Sequence, residues 1–414
     1  MQPLPGRLEG PASHPDDYTT LNGAQVSYSP QGNGLTAPRP MPLEKVQLLR
    51  VNSQLFDLYR EVAGGGPPAG PFPLPLPQGP PRLVHLEGEH VRVAAPARGA
   101  LVEADAQGHL TGDPRVLQGY AAAQETHAMA EQALGRPVRF NSPDGKLTLS
   151  LDDPAASISG PAHQGLGRAT VVMPAGRRAT ATDTDTISHE VGHALLDSQR
   201  PQLRGGAVHE AYADVTALTL SLRDPAVRQD VLERKARGER SNLASNIGEG
   251  TQAEWARDPS APTPGVREGL RDLSRPGNAL DLEPHEASRR YSSAIYDSIL
   301  DVQARLRADN PKLSEDEALR QANQIVGGNA LRSSDFLPPG PDATLEDLAR
   351  ATLKAGDRDQ GGRYRSILEA NFREAGLAVG GPSDRLREAG YATLGQETAL
   401  PGALSQAAPF GPAA

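Results

Sequence analysis

The stretch from residue 183 to residue 196 reads DTDTISHEVGHALL. It holds His189 and His193 with Glu190 between them, in a chain that has only 10 histidines. In a helix of 3.6 residues per turn, the two histidines lie one turn apart on the same face. Two imidazoles so placed can bind one Zn²⁺, and a glutamate beside the ion can act as a general base on a water molecule. A motif of five residues can also occur by chance, so other features of the chain must support this interpretation.

The composition of the chain is compatible with a zinc site made of histidines and carboxylates. The 414 residues contain no cysteine, which excludes disulfides and thiolate ligands. The net charge of −9 argues against a nucleic-acid partner. The chain contains no run of about eighteen apolar residues, so the sequence predicts no membrane span. The opening MQPLPGRLEGPASHP lacks the features of a signal peptide, so we expect a cytoplasmic protein by default, with non-classical secretion as the alternative.

Changes in composition divide the chain into five predicted parts. Pro/Gly-rich stretches without periodicity mark the two ends, and an Ala-rich helical pattern begins near Val116. The predicted parts are a largely disordered leader with one short helix (1–80), a small β-rich segment (81–115), an N-terminal lobe that ends in the histidine helix (116–200), a helical C-terminal lobe (201–380) and a flexible tail (381–414).

The periodicity of apolar residues predicts the elements within these parts. A helical stripe from Val46 to Val62 predicts the short helix of the leader. Alternation between residues 82 and 112 predicts one or two β-hairpins. The segments GKLTLSLDD and RATVVMPAG read as strands, and AVHEAYADVTALTLSL as a helix. The fold class is therefore α+β, with a small sheet that leads into the histidine helix and a mainly helical remainder.

A catalytic zinc site needs a third protein ligand, and the helix after residue 206 offers one. Glu210 follows His193 by seventeen residues in the segment HEAYAD. Asp214 lies one helical turn later and can accept a hydrogen bond from a zinc-bound imidazole. His209 is the weaker rival as a ligand, because it faces roughly 100° away from Glu210 on a helix. A solvated acidic stripe is the other interpretation of Glu210 and Asp214.

These motifs together resemble the thermolysin-like gluzincin metallopeptidases. The segment DTISHEVGHALLD is similar to the active-site helix of that family, including an aspartate at Asp185, and HEAYAD is similar to its Asn-Glu-Ala-x-x-Asp motif. The resemblance extends from about residue 119 to residue 377. It implies a zincin-like, two-lobed catalytic domain, with Glu210 as the zinc ligand and Asp214 as the residue that orients a histidine.

Further segments of the chain extend the resemblance. GLRDLSRP is similar to the stretch that carries the family's active-site arginine, which implies that role for Arg271. PHEASRRYSSAIY is similar to the block around the family's transition-state histidine, which implies that role for His285. Structural calcium is the weaker expectation, since the family's calcium-binding acids are largely unmatched beyond Asp185. Two family features are missing: a tyrosine between His193 and Glu210, and an Asn-Ala-aromatic motif on the edge strand.

Two functions follow as hypotheses from these residues and motifs. The first is a zinc metalloendopeptidase, in which Glu190 activates a water molecule for attack on a peptide or protein substrate. The second is a binding or scaffold module on a degenerate peptidase fold that keeps zinc for stability. The missing tyrosine favours the second hypothesis, whereas the intact Glu190 favours the first, because a purely structural zinc site needs no base.

Overall fold

The computed structural model describes part of the chain, and every structural statement below concerns those residues. They are 18–21, 25–28, 39–42, 46–49, 86–94, 102–104, 110–153, 162–164, 167–174, 182–204, 206–248, 251, 271–277 and 283–379. Within them the fold is a mixture of α-helices and small β-sheets, with more helix than strand. This confirms the predicted α+β class.

Four short strands precede the main body of the fold. They are β1 (Tyr18–Leu21), β2 (Gln25–Tyr28), β3 (Arg39–Pro42) and β4 (Val46–Leu49). β1 pairs with β4 and β2 pairs with β3, both antiparallel. Val26 and Tyr28 are buried in the same hydrophobic core as the helices. Part of the expected leader is therefore packed against the rest of the protein.

The helix predicted from Val46 to Val62 is wrong over its first residues, because Val46–Leu49 forms strand β4. Residues 50–62 lie outside the described part of the chain. The run VQLL fits either a helix or a strand when it is taken alone. Its partner is β1, an earlier strand in which Leu21 pairs with Val46 and Tyr18 with Leu49, and no local pattern reveals that pairing.

Six further strands lead into the helical region: β5 (Val91–Ala94), β6 (Val102–Ala104), β7 (Leu110–Gly112), β8 (Leu147–Asp153), β9 (Ala162–Gln164) and β10 (Thr170–Pro174). The central sheet has the order β5-β8-β10-β9, in which β9 is an antiparallel edge strand and the other three are parallel. β6 and β7 form an antiparallel hairpin, as predicted. β5 instead joins the central sheet.

The first helices contact this sheet and carry the histidine motif. α1 (Pro114–Leu134) begins at Asp113, whose carboxylate accepts the backbone N–H of Arg115, and ends at Gly135 with a left-handed φ of 67°. α2 (Thr184–Gln199) contains the histidine pair, and α3 (Gly206–Ser221) follows it directly in the chain. α4 (Pro225–Ala236) begins at Asp224, which caps the N–H groups of Ala226 and Val227.

The remaining elements complete the helical part of the described chain. Strands β11 (Asn246–Ile247) and β12 (Arg271–Asp272) pair antiparallel, with Ile247 opposite Arg271. The helices that follow are α5 (Pro284–Asp309), α6 (Glu315–Arg332), α7 (Leu345–Gln360) and α8 (Arg365–Glu374). No helix in the described ranges is both long and apolar enough to cross a membrane.

Helices α2 and α3 cross at very short distance, and this crossing positions the candidate site. A Cβ atom built on Gly192 would lie 2.8 Å from the Cα of Ala213 and 3.0 Å from the side chain of Thr216. Real Cβ atoms do not approach backbone atoms this closely, so a glycine is required at this position. Because Gly192 immediately precedes His193, the close crossing brings the start of α3 over both histidines.

Candidate metal centre

His189 and His193 point toward one another from successive turns of α2. Their Nε2 atoms are 3.1 Å apart, and their rings are perpendicular with centroids separated by 4.7 Å. His189 is almost fully buried and His193 is partly buried. The helical spacing predicted this pairing, and the two nitrogens converge on one side of the helix.

Glu210 on α3 completes a group of three donor atoms. Its Oε2 atom is 3.2 Å from His189 Nε2, and its Oε1 atom is 3.5 Å from His193 Nε2. In a tetrahedral zinc site with bonds near 2.1 Å, neighbouring ligand atoms are roughly 3.4 Å apart. The two imidazole nitrogens are 3.1 Å apart, and each lies 3.2 or 3.5 Å from the nearer oxygen of the Glu210 carboxylate, so the three side chains suit a single zinc ion. The geometry brings together the three residues that the sequence motifs suggested as ligands.

The electrostatics of these three groups also suit a cation. Although burial raises the pKa of Glu210, the hydrogen bond and charge of His189 together with His193 and Arg271 hold that pKa well below its usual value. Burial, followed by the charge of His189, lowers the pKa of His193 well below 6.5. Glu210 is therefore an ionised carboxylate and His193 a neutral imidazole at neutral pH. Both are in the form that binds a metal ion.

His189 differs from His193 because carboxylates surround it. Burial and Arg271 oppose its protonation, but the hydrogen bonds to Asp214 and Glu210 prevail and raise its pKa to about 9. A metal ion that binds His189 Nε2 must therefore displace a proton, since the same nitrogen cannot hold both. We expect proton release when this site is filled.

Asp214 lies behind His189, on the side away from the three donor atoms. Its Oδ1 atom accepts a hydrogen bond from His189 Nδ1 at 3.1 Å, which fixes the orientation of the ring and leaves Nε2 toward Glu210. Ser288 and Ser292 of α5 donate to the other oxygen, Oδ2, at 3.3 and 3.1 Å. Asp214 is completely buried, and Arg271 also contacts it. The two serines are contacts that the spacing of Asp214 could not reveal.

Arg271 lies against the metal-ligand residues. Its Nη2 atom is 3.1 Å from Glu210 Oε2, and its Nη1 atom contacts Asp214 and lies 2.9 Å from His189 Nδ1. The antiparallel pairing of β12 with β11 holds the arginine in this position. The family resemblance assigned Arg271 to the active site, and the structure places its guanidinium between the two carboxylates of α3.

His285 lies at the first turn of α5, on the open side of the group. Its Nε2 atom is 3.4 Å from Glu210 Oε2, and its Nδ1 atom is 2.5 Å from the carboxylate of Glu283, which also caps the helix. Its side chain is 50% exposed, in contrast to His189 at 4%. A solvent-accessible imidazole beside the partly buried carboxylate of Glu210 is suitably placed to donate to a bound molecule.

Glu190 and Asp185 lie on α2 beside the histidines. Glu190 is buried, and this burial raises the pKa of its carboxyl, with charge interactions from His189, Glu210, Arg271 and His285 acting on it as well. A carboxylate whose pKa is shifted toward neutrality is suited to accept and return a proton. Asp185 is buried in the first turn of α2, one turn before His189. The resemblance of this helix to the family's active-site helix implies that Asp185 supports the metal ligands together with Asp214, and this role stays a prediction.

Two further histidines flank His193. The ring of His209 lies 5.9 Å from that of His193, and its Nε2 is 3.3 Å from the carbonyl of Leu203. The ring of His163 on strand β9 lies 6.4 Å from that of His193. His209 is not one of the three converging donors, so the structure favours Glu210 over this rival. His163 was not predicted from the sequence, since only the edge position of β9 brings it to α2.

A second cluster of possible metal ligands has a simpler explanation. His90, His127 and Glu131 lie near one another and form the other group in the described ranges that could hold an ion. However, His127 Nε2 is 2.8 Å from the carbonyl of Val138, and Glu131 accepts the backbone N–H of the same residue at 2.8 Å. The His90 and His127 rings are stacked at 4.3 Å, so one ion cannot lie in both ring planes. These contacts tie the end of α1 to the following segment.

Comparison with known proteins shows distant similarity to solved structures. No protein-family model matches the chain, and no curated protein matches it. Among solved structures, the chain is similar to the precursor of protealysin, a metalloproteinase from Serratia proteamaculans, with a TM-score of 0.41 and 17% sequence identity. The similarity covers 64% of this chain and 79% of that one. Any conclusion about chemistry therefore rests on the side chains described above.

Proposed function

We propose that this protein is a zinc-dependent endopeptidase with its active centre at His189, His193 and Glu210. The observation that carries the proposal is the convergence of the two imidazole Nε2 atoms and the Glu210 carboxylate, whose nearest separations are 3.1 to 3.5 Å. A zinc ion bound there would polarise a water molecule and the carbonyl group of a peptide. Two imidazoles and one carboxylate also leave a coordination position for that chemistry, as catalytic zinc sites require.

Glu190 is the residue that moves the proton in this proposal. It is adjacent to a ligand in the helix, but it is not one of the three converging donors. It would accept a proton from the attacking water and deliver it to the nitrogen of the leaving amine. The burial of Glu190 supports this role, because burial raises the pKa of the carboxyl and so favours a group that gives its proton back.

His285 and Arg271 have different roles in the proposal. Peptide hydrolysis builds negative charge on the carbonyl oxygen, and a hydrogen-bond donor at that oxygen lowers the barrier. His285 is the exposed donor on the open side of Glu210, so it would stabilise that oxygen. Arg271 would act mainly as a positioning residue, since its guanidinium holds the carboxylates of Glu210 and Asp214.

The alternative function is a zinc-containing binding or scaffold module without efficient turnover. One structural observation favours it: Arg271 contacts Glu210, Asp214 and His189 directly. Its positive charge is therefore used by these side chains and is not available to bind a peptide. The absence of a tyrosine in the segment ALLDSQRPQLRGGAV between His193 and Glu210 points the same way.

A direct experiment on the full-length protein distinguishes the two functions. Zinc content and cleavage of casein would be measured before and after treatment with a chelator and again after zinc is restored. The peptidase proposal expects one zinc per chain and cleavage that disappears and returns with the metal. Full zinc occupancy without cleavage of casein or of a broad peptide library would support the scaffold function instead.

A further inference from the structure

Two serines of α5 approach the carboxylate that orients His189. Ser288 and Ser292 lie about one helical turn apart, and both are completely buried. Ser292 Oγ lies 3.1 Å from Asp214 Oδ2, and Ser288 Oγ lies 3.3 Å from the same oxygen. Asp214 is also completely buried, so bulk water does not solvate this oxygen. Among the described residues, the two hydroxyl groups are therefore the donors that serve it.

Each hydroxyl group also has an acceptor in the backbone of α5. Ser288 Oγ lies 2.8 Å from the carbonyl oxygen of His285, and Ser292 Oγ lies 3.2 Å from that of Ser288. A serine hydroxyl has one proton to donate, and a charged carboxylate is a stronger acceptor than a carbonyl group. Ser292 is closer to Asp214 than to its carbonyl, whereas Ser288 is closer to the carbonyl. Ser292 is therefore the main donor to Oδ2, and Ser288 is the secondary one.

The other oxygen of the carboxylate, Oδ1, has two competing donors. It accepts from His189 Nδ1 at 3.1 Å, and it also contacts Arg271 Nη1. These two nitrogens are themselves only 2.9 Å apart. A guanidinium group commonly binds both oxygens of one carboxylate. Arg271 does not bind Asp214 in this way, because its Nη2 atom lies 3.1 Å from Glu210 Oε2.

The serines restrict how the Asp214 carboxylate can turn. A buried acceptor without a donor is costly, so removal of the hydroxyl groups would leave Oδ2 in need of another partner. Arg271 already contacts Oδ1 and can supply a second N–H group. Rotation of the carboxylate into a two-oxygen pair with Arg271 would turn Oδ1 away from His189 Nδ1. The imidazole would then lose the hydrogen bond that directs its Nε2 atom toward Glu210.

We propose that Ser292, assisted by Ser288, is a positioning residue of the metal centre. Its hydroxyl group holds the Asp214 carboxylate toward His189 and prevents a two-oxygen pair with Arg271. Neither serine hydroxyl contacts a metal ligand in the described ranges, so both act through Asp214. The proposal rests on the metal site of the proposed function, but it does not require peptide hydrolysis, because it concerns the affinity and geometry of metal binding.

The zinc affinity of the full-length protein tests this role. Loss of a group that orients a metal-bound histidine typically weakens metal binding 10- to 100-fold. We expect about tenfold weaker zinc binding for Ser292→Ala and up to about 100-fold for Ser288→Ala/Ser292→Ala. Ser288→Ala alone should have the smaller effect, because its hydroxyl lies closer to the carbonyl of His285. Competition with a coloured chelator would measure the dissociation constants.

Ser293→Ala is the matched control. Ser293 follows Ser292 on the same helix and is also buried, but its hydroxyl has one contact in the described ranges, with the carbonyl of Arg290 at 3.4 Å. Its replacement should leave zinc affinity unchanged. Cobalt(II) in place of zinc gives a second measurement, since its visible spectrum depends on the arrangement of the ligands. Ser292→Ala should change that spectrum, whereas a variant that only lowers stability should keep it.

A double-mutant cycle tests the competition with Arg271. Arg271→Met removes the guanidinium group, so the carboxylate can no longer turn toward it. In that background Ser292→Ala should weaken zinc binding by much less than tenfold, which would appear as a coupling between the two substitutions. Loss of the same size in both backgrounds would show that Arg271 does not compete for the carboxylate.

The results also separate this proposal from the peptidase function. Wild-type zinc affinity together with a wild-type cobalt spectrum in Ser288→Ala/Ser292→Ala would overturn the positioning role, whatever the protein cleaves. Full zinc binding by the wild type without peptide cleavage would overturn the peptidase function and leave the positioning role intact. Absence of zinc binding by the wild type would overturn both.

Discussion

Gly192 of α2 and Ala213 of α3 lie at the point where the two helices almost touch, with 2.8 Å between a Cβ built on Gly192 and the Cα of Ala213. His193 follows Gly192, and Glu210 precedes Ala213 by three residues. The separation of the two helix backbones at this contact therefore decides whether the carboxylate reaches the histidines. The absence of a Cβ atom at Gly192 therefore allows the close contact on which the geometry of the candidate metal centre depends.

Replacing Gly192 by alanine should push the two helices apart. Because the contact is with backbone, the neighbouring atoms cannot rotate away, and overpacking of this kind costs about 1–3 kcal/mol of the free energy of unfolding. Zinc affinity should fall as well, since Glu210 moves away from the histidines. Urea denaturation and zinc titration would measure the two effects.

Gly356→Ala is the matched control for this substitution. Gly356 is also inside a helix, but its added Cβ would meet side-chain atoms and no backbone, the nearest being the Asn329 amide nitrogen at 3.0 Å, which a shift of a few tenths of an ångström relieves. The gain in helix propensity of up to about 1 kcal/mol offsets the cost of that shift, so the free energy of unfolding should fall less than in Gly192→Ala. Equal effects of the two substitutions on the free energy of unfolding would show that the close backbone contact at Gly192 does not require a glycine.

The metal ligands are tested by comparing two histidines that are neighbours in space. His193→Ala should abolish the binding of the single zinc ion, because it removes one of three protein ligands. His209→Ala should retain zinc, since the His209 ring lies beside His193 and outside the converging donors. Zinc content after dialysis would be measured by atomic absorption. Retention of zinc by His193→Ala would refute the assignment.

The role of Glu190 is separated from metal binding by Glu190→Gln. The amide keeps the size of the side chain and removes its basicity, so zinc content and melting temperature should barely change. Casein cleavage should fall by at least ~10², the usual contribution of a general base. Glu233→Gln, on the surface of α4, is the control and should retain full activity. Unchanged cleavage by Glu190→Gln would assign the proton transfer to another group.

Tyr28 tests whether the N-terminal strands belong to the folded core. Its side chain is completely buried, and the strand beside β2 is tied to α1 by the Arg39–Glu125 ion pair at 3.1 Å. Tyr28→Ala should lower the free energy of unfolding by about 3–5 kcal/mol, as for other large aromatic side chains in a core. Limited proteolysis of the variant should remove residues before about 82 much faster than in the wild type. Identical cleavage rates would mean that these strands add no stability.

The pH dependence of stability tests the burial of His163. Burial, followed by the charge of His209, lowers the pKa of His163 from 6.5 to about 4. Between these two values the unfolded chain binds a proton that the folded chain does not, so the free energy of unfolding falls as the pH falls. His163→Gln should make this loss between pH 7 and pH 4 smaller by about 1–3 kcal/mol. Urea midpoints measured with a chelator present would show it, and parallel curves for both proteins would contradict it.

The amino-acid sequence by itself determined the features that depend on local spacing. A separation of four residues places His189 and His193 on one helical face, and the same rule places Glu210 and Asp214 on one face of α3. The Ala-rich pattern after Val116 and the amphipathic segments after residue 283 also became helices, because their apolar periodicity matches the helical repeat. These features set the α+β class and the candidate ligands.

Tertiary structure alone decided the features that join distant parts of the chain. The strand at Val46–Leu49 forms because β1 pairs with it, and His163 approaches His193 because β9 lies at the edge of the sheet. Ser288 and Ser292 reach Asp214 from a helix more than seventy residues away. Periodicity reports which face of an element is apolar, but it does not report which element covers that face. The neighbours of a side chain are set by packing over the whole fold, and only the folded structure reveals them.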